Sequence, residues 1–215
     1  MTVLTKTVIL DGARTAFGKF GGALSNLTAS DLGGVAIKEA LAKAGVNPEQ
    51  VDEVIMGTVL QAGQGQIPSR QAANKAGIPW NVQTETINKV CASGMRSVTM
   101  ADQIIRLGDE EVIVAGGMES MSNAPYYLPK GRFGLRMGDG QMVDGMIYDG
   151  LSCSFHPKRV HMGTYGNSTA ETFELSREKQ DEWSYRSHSL ALKAIESGIF
   201  AEEIVPVEIP QRKGD

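Results

Sequence analysis

The sequence predicts an α/β fold in which helices cover a mixed or parallel sheet. Two observations carry this expectation. Short β-branched apolar runs alternate with segments of helical period through about residue 117, and the helical segments end on glycine. The 215 residues, 41% of them hydrophobic, suffice for a core of their own, with room for one main folding unit plus an excursion.

Residues 5–10 form an apolar run ended by Asp11-Gly12, the pattern of a buried strand followed by a turn. Leu32, Val35, Ala36, Ala40, Leu41 and Ala44 then recur at helical spacing, which predicts a helix started by Thr28 or Ser30 and stopped by Gly45. Residues 51–60 read as a second strand, and a glycine-bearing loop leads from them into a short helix at 69–76 stopped by Gly77. Residues 83–90 read as a third strand, 93–107 as a helix stopped by Gly108, and 111–115 as a fourth strand running into Gly116-Gly117.

The rhythm then breaks. Residues 123–150 are rich in Gly, Met and Tyr with poor periodicity, too long for a passive connector, and predict an extended loop or hairpin excursion. Helices follow at 162–173 and 176–197, and 203–209 has a strand pattern. The resulting division is 1–122, an α/β unit, and 123–215, an excursion followed by helices and a strand. The 25 glycines gather at 57–65, 116–117 and 131–145, where tight turns and close backbone approaches are expected.

Composition excludes several classes of function. A formal net charge of −4 with no long basic run gives no electrostatic reason to expect nucleic acid. Cys91 and Cys153 are too few for a disulfide framework, which points to a reducing compartment and a cytoplasmic address. The first thirty residues lack the basic start and apolar core of a signal peptide, and no apolar stretch is long enough to span a bilayer.

Cys91 sits in Asn88-Lys89-Val90-Cys91-Ala92-Ser93-Gly94-Met95, at the junction between a predicted strand and the start of a helix. A helix N-terminus offers unpaired N–H groups and a positive dipole end, which favour a thiolate and can bind a developing oxyanion. Ala92, Ser93 and Gly94 are small enough to admit a thioester. A lone cysteine is equally a small buried hydrophobe, so local physics leaves both readings open.

The stretch 88–97 resembles the acyl-enzyme signature of thiolases, and it has company. Gly12-Ala13-Arg14-Thr15 with Phe17-Gly18, Gly57-Thr58-Val59-Leu60 leading to Arg70-Gln71-Ala72-Ala73, Gly116-Gly117-Met118-Glu119-Ser120-Met121-Ser122 and His161-Met162-Gly163 all fall in that family's order. The resemblance spans essentially the whole chain. It implies a thiolase-like fold: the N-terminal half of a layered αβαβα architecture with an inserted loop domain begun, and the second half absent.

What the resemblance implies chemically is a two-step acyl transfer. Cys91 takes the acyl group of an acyl-CoA, its own N–H serving one oxyanion hole. A second acetyl-CoA, deprotonated beside its carbonyl, then attacks the acyl-enzyme; thiolysis of acetoacetyl-CoA is the reverse. CoA thioesters are thus substrates, and no resident cofactor or metal is expected. His161 and Met162 match positions beside the pantetheine arm of CoA, and Leu151 matches an apolar contact to it, although segment 152–160 is longer than in the bacterial biosynthetic members. Without the resemblance, His161 reads as a residue that caps or packs against a helix start.

The resemblance also implies a homodimer or tetramer, with 63–65 and 83–90 as contact segments and the glycine- and methionine-rich excursion as an assembly loop. Lys130, Arg132 and Arg136 within that excursion are the alternative, a contact to CoA phosphates. The family's histidine in a Gly-His-Pro context, its acid/base cysteine and the asparagine of its other oxyanion hole have no counterpart here, since His156, His161 and His188 stand in other contexts. Two expectations follow: an enzyme portion completed elsewhere, or a truncated module that dimerises or contacts CoA without turnover. A ketosynthase-type or hydroxymethylglutaryl-CoA-synthase-type condensing enzyme fits the motifs at 116–122 and 161–163 less well.

Other features read as bland. Cys153 and His156 lack further ligands at metal-binding spacing. The glycine loop at 57–65 has neither a phosphate-loop lysine nor a dinucleotide fingerprint. Glu110-Glu111 is a solvated turn.

Overall fold

A computed structural model describes residues 6–210. Its centre is a parallel sheet of β1 (Glu53–Gly57), β2 (Gln83–Ile87) and β3 (Ile113–Gly117) in the order β2-β1-β3. The ladders run in register, Glu53 opposite both Gln83 and Ile113, and Gly57 opposite both Ile87 and Gly117. All three strands therefore end on one edge.

α1 (Ala29–Ala44) and α2 (Pro68–Lys75) cover one face, and α3 (Ser93–Leu107) covers the other. Alternation along β1 explains the split. Val54 and Met56 join Ala29, Ile37, Leu41, Ala72, Ala73 and Ala76 in the core, whereas Gly57 faces the start of α3. The connection from β1 to β2 and the one from β2 to β3 step across the sheet in opposite directions. Crossovers of one hand then place their helices on opposite faces.

Local chemistry sets the helix ends. Thr28 and Asp31 form a capping box on α1, and Gly45 closes it in the left-handed region at φ 65°. Gly108 at φ 82° ends α3 in the same way. Asp52 Oδ2 accepts from the backbone N–H groups of Glu111 (3.0 Å) and Val112 (2.8 Å), tying the entry of β3 to that of β1.

Two expected strands do not form. Residues 6–10 carry no regular structure, and Val8, Ile9 and Leu10 are 70%, 83% and 61% exposed; Thr5 lies outside the described residues. A β-branched run becomes a strand only where it pairs with a ladder, and residues 6–10 are not part of the β2-β1-β3 sheet. Residues 203–209 form no strand; a bridge joins Ile204 to Arg14, with the Arg14 N–H donating to Glu203 O and the Val205 N–H to Arg14 O, both at 2.9 Å.

The excursion is a short hairpin, as expected: β4 (Tyr126–Tyr127) pairs antiparallel with β5 (Val143–Asp144). It continues into a π-helical turn, Met146–Leu151, which the sequence pattern did not reveal. The Tyr127 hydroxyl donates to Asp149 Oδ2 at 2.6 Å, and that bond pushes its pKa up to about 12. α4 (Met162–Thr172) and α5 (Arg177–Glu196) complete the chain near the expected bounds, and neither contains a buried residue. Among the described residues, every buried hydrophobic residue lies between Ala29 and Met118.

Candidate active site

The C-terminal ends of the three parallel strands open into a cleft of about 610 Å³. Open α/β sheets bind ligands at this edge. Gly57 and Thr58 follow from β1, Val90 and Cys91 from β2, and Gly117 to Glu119 from β3, and all of these line it. Ala13 to Phe20 form part of the opposite wall, and Gly150 and Leu151 reach it from the π-helical turn.

Cys91 is exposed in this cleft, immediately before the N-cap residue of α3. Its placement depends on glycine. A Cβ on Gly57 would lie 2.4 Å from the carbonyl carbon of Ser93 and 2.7 Å from the nitrogen of Gly94. Only a hydrogen at position 57 lets the start of α3 dock onto the end of β1. Gly117 is equally close to α3: a Cβ there would lie 3.2 Å from the Gly94 Cα.

The turn carrying Cys91 is cross-braced and strained. Val90, a β-branched residue, adopts φ 51°, a left-handed conformation that costs about 1–3 kcal/mol and persists only where the surroundings impose it. The surroundings here are hydrogen bonds. Asn88 Oδ1 accepts from the Val90 N–H (2.8 Å), Ser93 Oγ donates to Val90 O (2.5 Å), and the Lys89 N–H donates to Ser93 Oγ (2.8 Å).

Of the other residues singled out from sequence, the cleft takes in Leu151 and leaves His161 and Met162 outside its lining. A Cβ on Gly150 would lie 3.2 Å from Leu60 Cδ2, so the π-helical turn sits against the loop that follows β1. His161 is the N-cap of α4, its Nδ1 accepting from the Gly163 N–H at 3.0 Å, and Met162 is the first residue of that helix. A bridge between Ser152 and His161, with the Cys153 N–H donating to Val160 O (2.9 Å), closes segment 152–161 into a loop. Leu151 and His161 thereby stand at its two ends. Arg159 secures the loop by stacking 3.4 Å from the centroid of the Tyr148 ring and donating to Tyr148 O.

The family model described as the thiolase N-terminal domain matches residues 7–215. This chain belongs to the thiolase family. It is 54% identical over 212 residues to an acetyl-CoA acetyltransferase of Cupriavidus necator, covering 99% of this chain and 53% of that protein. It is 50% identical over 208 residues to an acetyl-CoA acetyltransferase of Thiocystis violacea (97% and 52% covered) and 46% identical over 212 residues to a probable acetyl-CoA acyltransferase of Staphylococcus aureus (99% and 53% covered). The chain spans about half the length of the curated relatives it matches.

Sequence reasoning missed one member of this thiolase cleft, Glu119. Its carboxylate accepts from the Thr58 hydroxyl (3.2 Å), the Val59 N–H (2.8 Å) and the Leu60 N–H (3.4 Å). The signal was present: an acidic residue two positions past the end of a half-buried strand, in a motif of otherwise small and apolar residues. The ionisable side chains lining the cleft among the described residues are Arg14, Lys19, Cys91 and Glu119. Arg14 is held by Glu203 at 3.2 Å. No group of three or more His, Cys, Asp or Glu among the described residues is arranged to hold a metal ion, and no helix is long and apolar enough to cross a membrane.

Proposed function

We propose that the chain carries the acyl-accepting part of a thiolase acting as an acyl-CoA C-acyltransferase, most specifically an acetyl-CoA acetyltransferase. Cys91 is its nucleophile. The observation that supports this reading is the exposed Cys91 thiol at the edge where all three parallel strands end. As a thiolate, Cys91 Sγ bonds the thioester carbonyl carbon of acetyl-CoA or another acyl-CoA. The C–S bond to CoA then breaks, and CoA leaves as a thiolate that takes up a proton. In the second half-reaction an acetyl-CoA carbanion displaces Cys91 Sγ; thiolysis of acetoacetyl-CoA runs the same steps backwards.

The pantetheine arm is assigned to Leu151, His161 and Met162. Leu151 is in the cleft wall, and the 152–161 loop joins it to His161. With Nδ1 accepting in the cap, neutral His161 carries its proton on Nε2, where it is free to donate to an amide carbonyl of the arm. The same reading gives CoA thioesters as substrates without a resident cofactor, a homodimer or tetramer, a role in fatty acid metabolism, a cytoplasmic address and a boundary at 122/123. A second reading, a module that dimerises or contacts CoA without turnover, is favoured by the cleft lining, where the only carboxylate among the described residues is engaged by three donors.

The test is acylation. The purified chain is incubated with acetyl-CoA, digested and mapped by mass spectrometry. One acetyl thioester is expected on Cys91 and none in Cys91→Ala. Acetylation of Cys153 instead, or of neither cysteine while Cys91 still reacts with iodoacetamide, would overturn the assignment.

A further inference from the structure

We infer that Glu119 and Asn88 are positioning residues that fix the backbone of the Cys91 turn through one shared residue, Val59. This inference rests on the reading of Cys91 as the acyl acceptor. The Val59 N–H donates to Glu119 Oε2 at 2.8 Å, and the Val59 carbonyl accepts from Asn88 Nδ2 at 3.2 Å. Asn88 Oδ1 in turn accepts from the Val90 N–H at 2.8 Å, one residue before the nucleophile. A continuous line of polar contacts thus runs from the end of β3, across the loop after β1, to the turn after β2.

Each link has a physical reason to be there. Val59 and Leu60 leave the sheet after Gly57, so their N–H groups lose the ladder and need other acceptors. One carboxylate supplies them, and charge-assisted bonds of this kind are stronger and more directional than neutral ones. That fixes the direction of the Val59 carbonyl. An amide can donate to this carbonyl and accept from Val90 at once through two different atoms, and Asn88 is short enough to do so from the strand end. The left-handed Val90 is unfavourable by itself, and the bond to its N–H helps to hold it. Acyl transfer needs Sγ aligned with the thioester carbonyl, so backbone placement enters the rate directly. Alkylation of an exposed thiol by a small reagent does not need that alignment.

The experiment compares the two chemistries in the 215-residue chain and in Glu119→Ala, Asn88→Ala, Asn88→Asp and the double alanine variant. Asn88→Asp keeps the acceptor for Val90 and loses the donor to Val59. Acetyl transfer from acetyl-CoA to Cys91 is expected to slow roughly ten- to a hundred-fold in every single variant. Alkylation of Cys91 by iodoacetamide is expected to stay within about twofold of the unaltered chain. The double variant should be no slower than the slower single one, because both act through the backbone of one residue, Val59.

Amide hydrogen exchange supplies the second measurement. Glu119→Ala should speed exchange at Val59 and also at Val90, while the amides of α1 stay protected. Unchanged exchange at Val90, unchanged acetyl transfer in Asn88→Asp, additive effects in the double variant, or loss of protection throughout α1 would each overturn the inference. If the unaltered chain is never acetylated, the acyl-acceptor reading fails separately, and exchange at Val90 still decides whether Glu119 reaches the turn.

Discussion

Two thiols of different character separate acidity from geometry. Cys153 lies in the 152–161 loop, where a hydrogen bond from the Tyr165 hydroxyl, followed by backbone N–H groups of Phe155 and His156, holds its pKa below the ordinary thiol value. The same contact pushes Tyr165 upward. A lowered thiol pKa means that the thiolate forms at lower pH, so Cys153 gains nucleophilicity where an ordinary cysteine is still protonated. Helix-dipole reasoning from sequence singled out Cys91 alone, but the loop gives Cys153 its own thiolate-stabilising donors. Selectivity for a CoA thioester over a small alkylating agent then has to come from the cleft around Cys91. Removing the Tyr165 hydroxyl in Tyr165→Phe should move the pH profile of Cys153 alkylation upward, toward the ordinary thiol range near ~8.5. The Cys91 profile should not move. Rates of iodoacetamide labelling resolved by peptide mapping decide this, and an unmoved Cys153 profile would show that Tyr165 contributes nothing to its acidity.

At the scale of elements, the site is made by docking α3 onto the ends of β1 and β3. Gly57→Ala would place a methyl group 2.4 Å from backbone of Ser93, and overpacking against an atom that cannot rotate away costs about 1–3 kcal/mol or more. Gly94→Ala is the control, since a Cβ there meets nothing nearer than 3.6 Å. The urea midpoint should fall in the first variant and stay near that of the unaltered chain in the second. Equal stability of the two would sink this account of the docking. α3 itself was legible from sequence to the residue, Ser93–Leu107 with Gly108 as its stop, because its period and cap are local. α1 was legible for the same reason, through Thr28 and Gly45. The run at 6–10 was misread because strand formation depends on pairing with a partner distant in sequence, which no local pattern reports. The contacts joining Glu119, Val59 and Asn88 were invisible because their members come from three strand ends far apart in sequence. Cys91 could be singled out as a candidate because a strand–cysteine–helix junction with small neighbours is a continuous stretch of chain.

Across the whole molecule, the packed core and the cleft belong to the same part of the chain, and the remainder is held mainly at its surface. Among the described residues, all buried hydrophobic ones fall between Ala29 and Met118, while Trp183, Tyr185, Leu192 and Ile195 on α5 remain 59–77% exposed. Apolar surface of that extent favours association, and the acyl-transfer chemistry sets a second, sharper expectation. Forming an acyl-enzyme needs a thiolate, donors for the oxyanion and a leaving thiolate. Forming a carbon–carbon bond needs in addition a base for the α-proton of acetyl-CoA. Among the described residues that line the cleft, Arg14 and Lys19 are cationic at neutral pH, and Glu119 accepts from Thr58, Val59 and Leu60. None of these can take an α-proton without giving up its charge state or its bonds. The 215-residue chain should therefore accept one acetyl group at Cys91 and stop there. Condensation and thiolysis by the chain alone should fall several orders of magnitude below an ordinary enzyme's turnover of roughly 10 per second, as happens when members of a catalytic unit are removed. The assay uses protein freed of host thiolase, with acetyl-CoA in one direction and acetoacetyl-CoA plus CoA in the other, and quantifies acetyl-Cys91 in parallel. Sustained turnover at an ordinary enzyme's rate, abolished by Cys91→Ala, would show that the cleft does contain a working base. A stoichiometric burst of CoA release without turnover is the result that the arrangement of Cys91 and Glu119 requires.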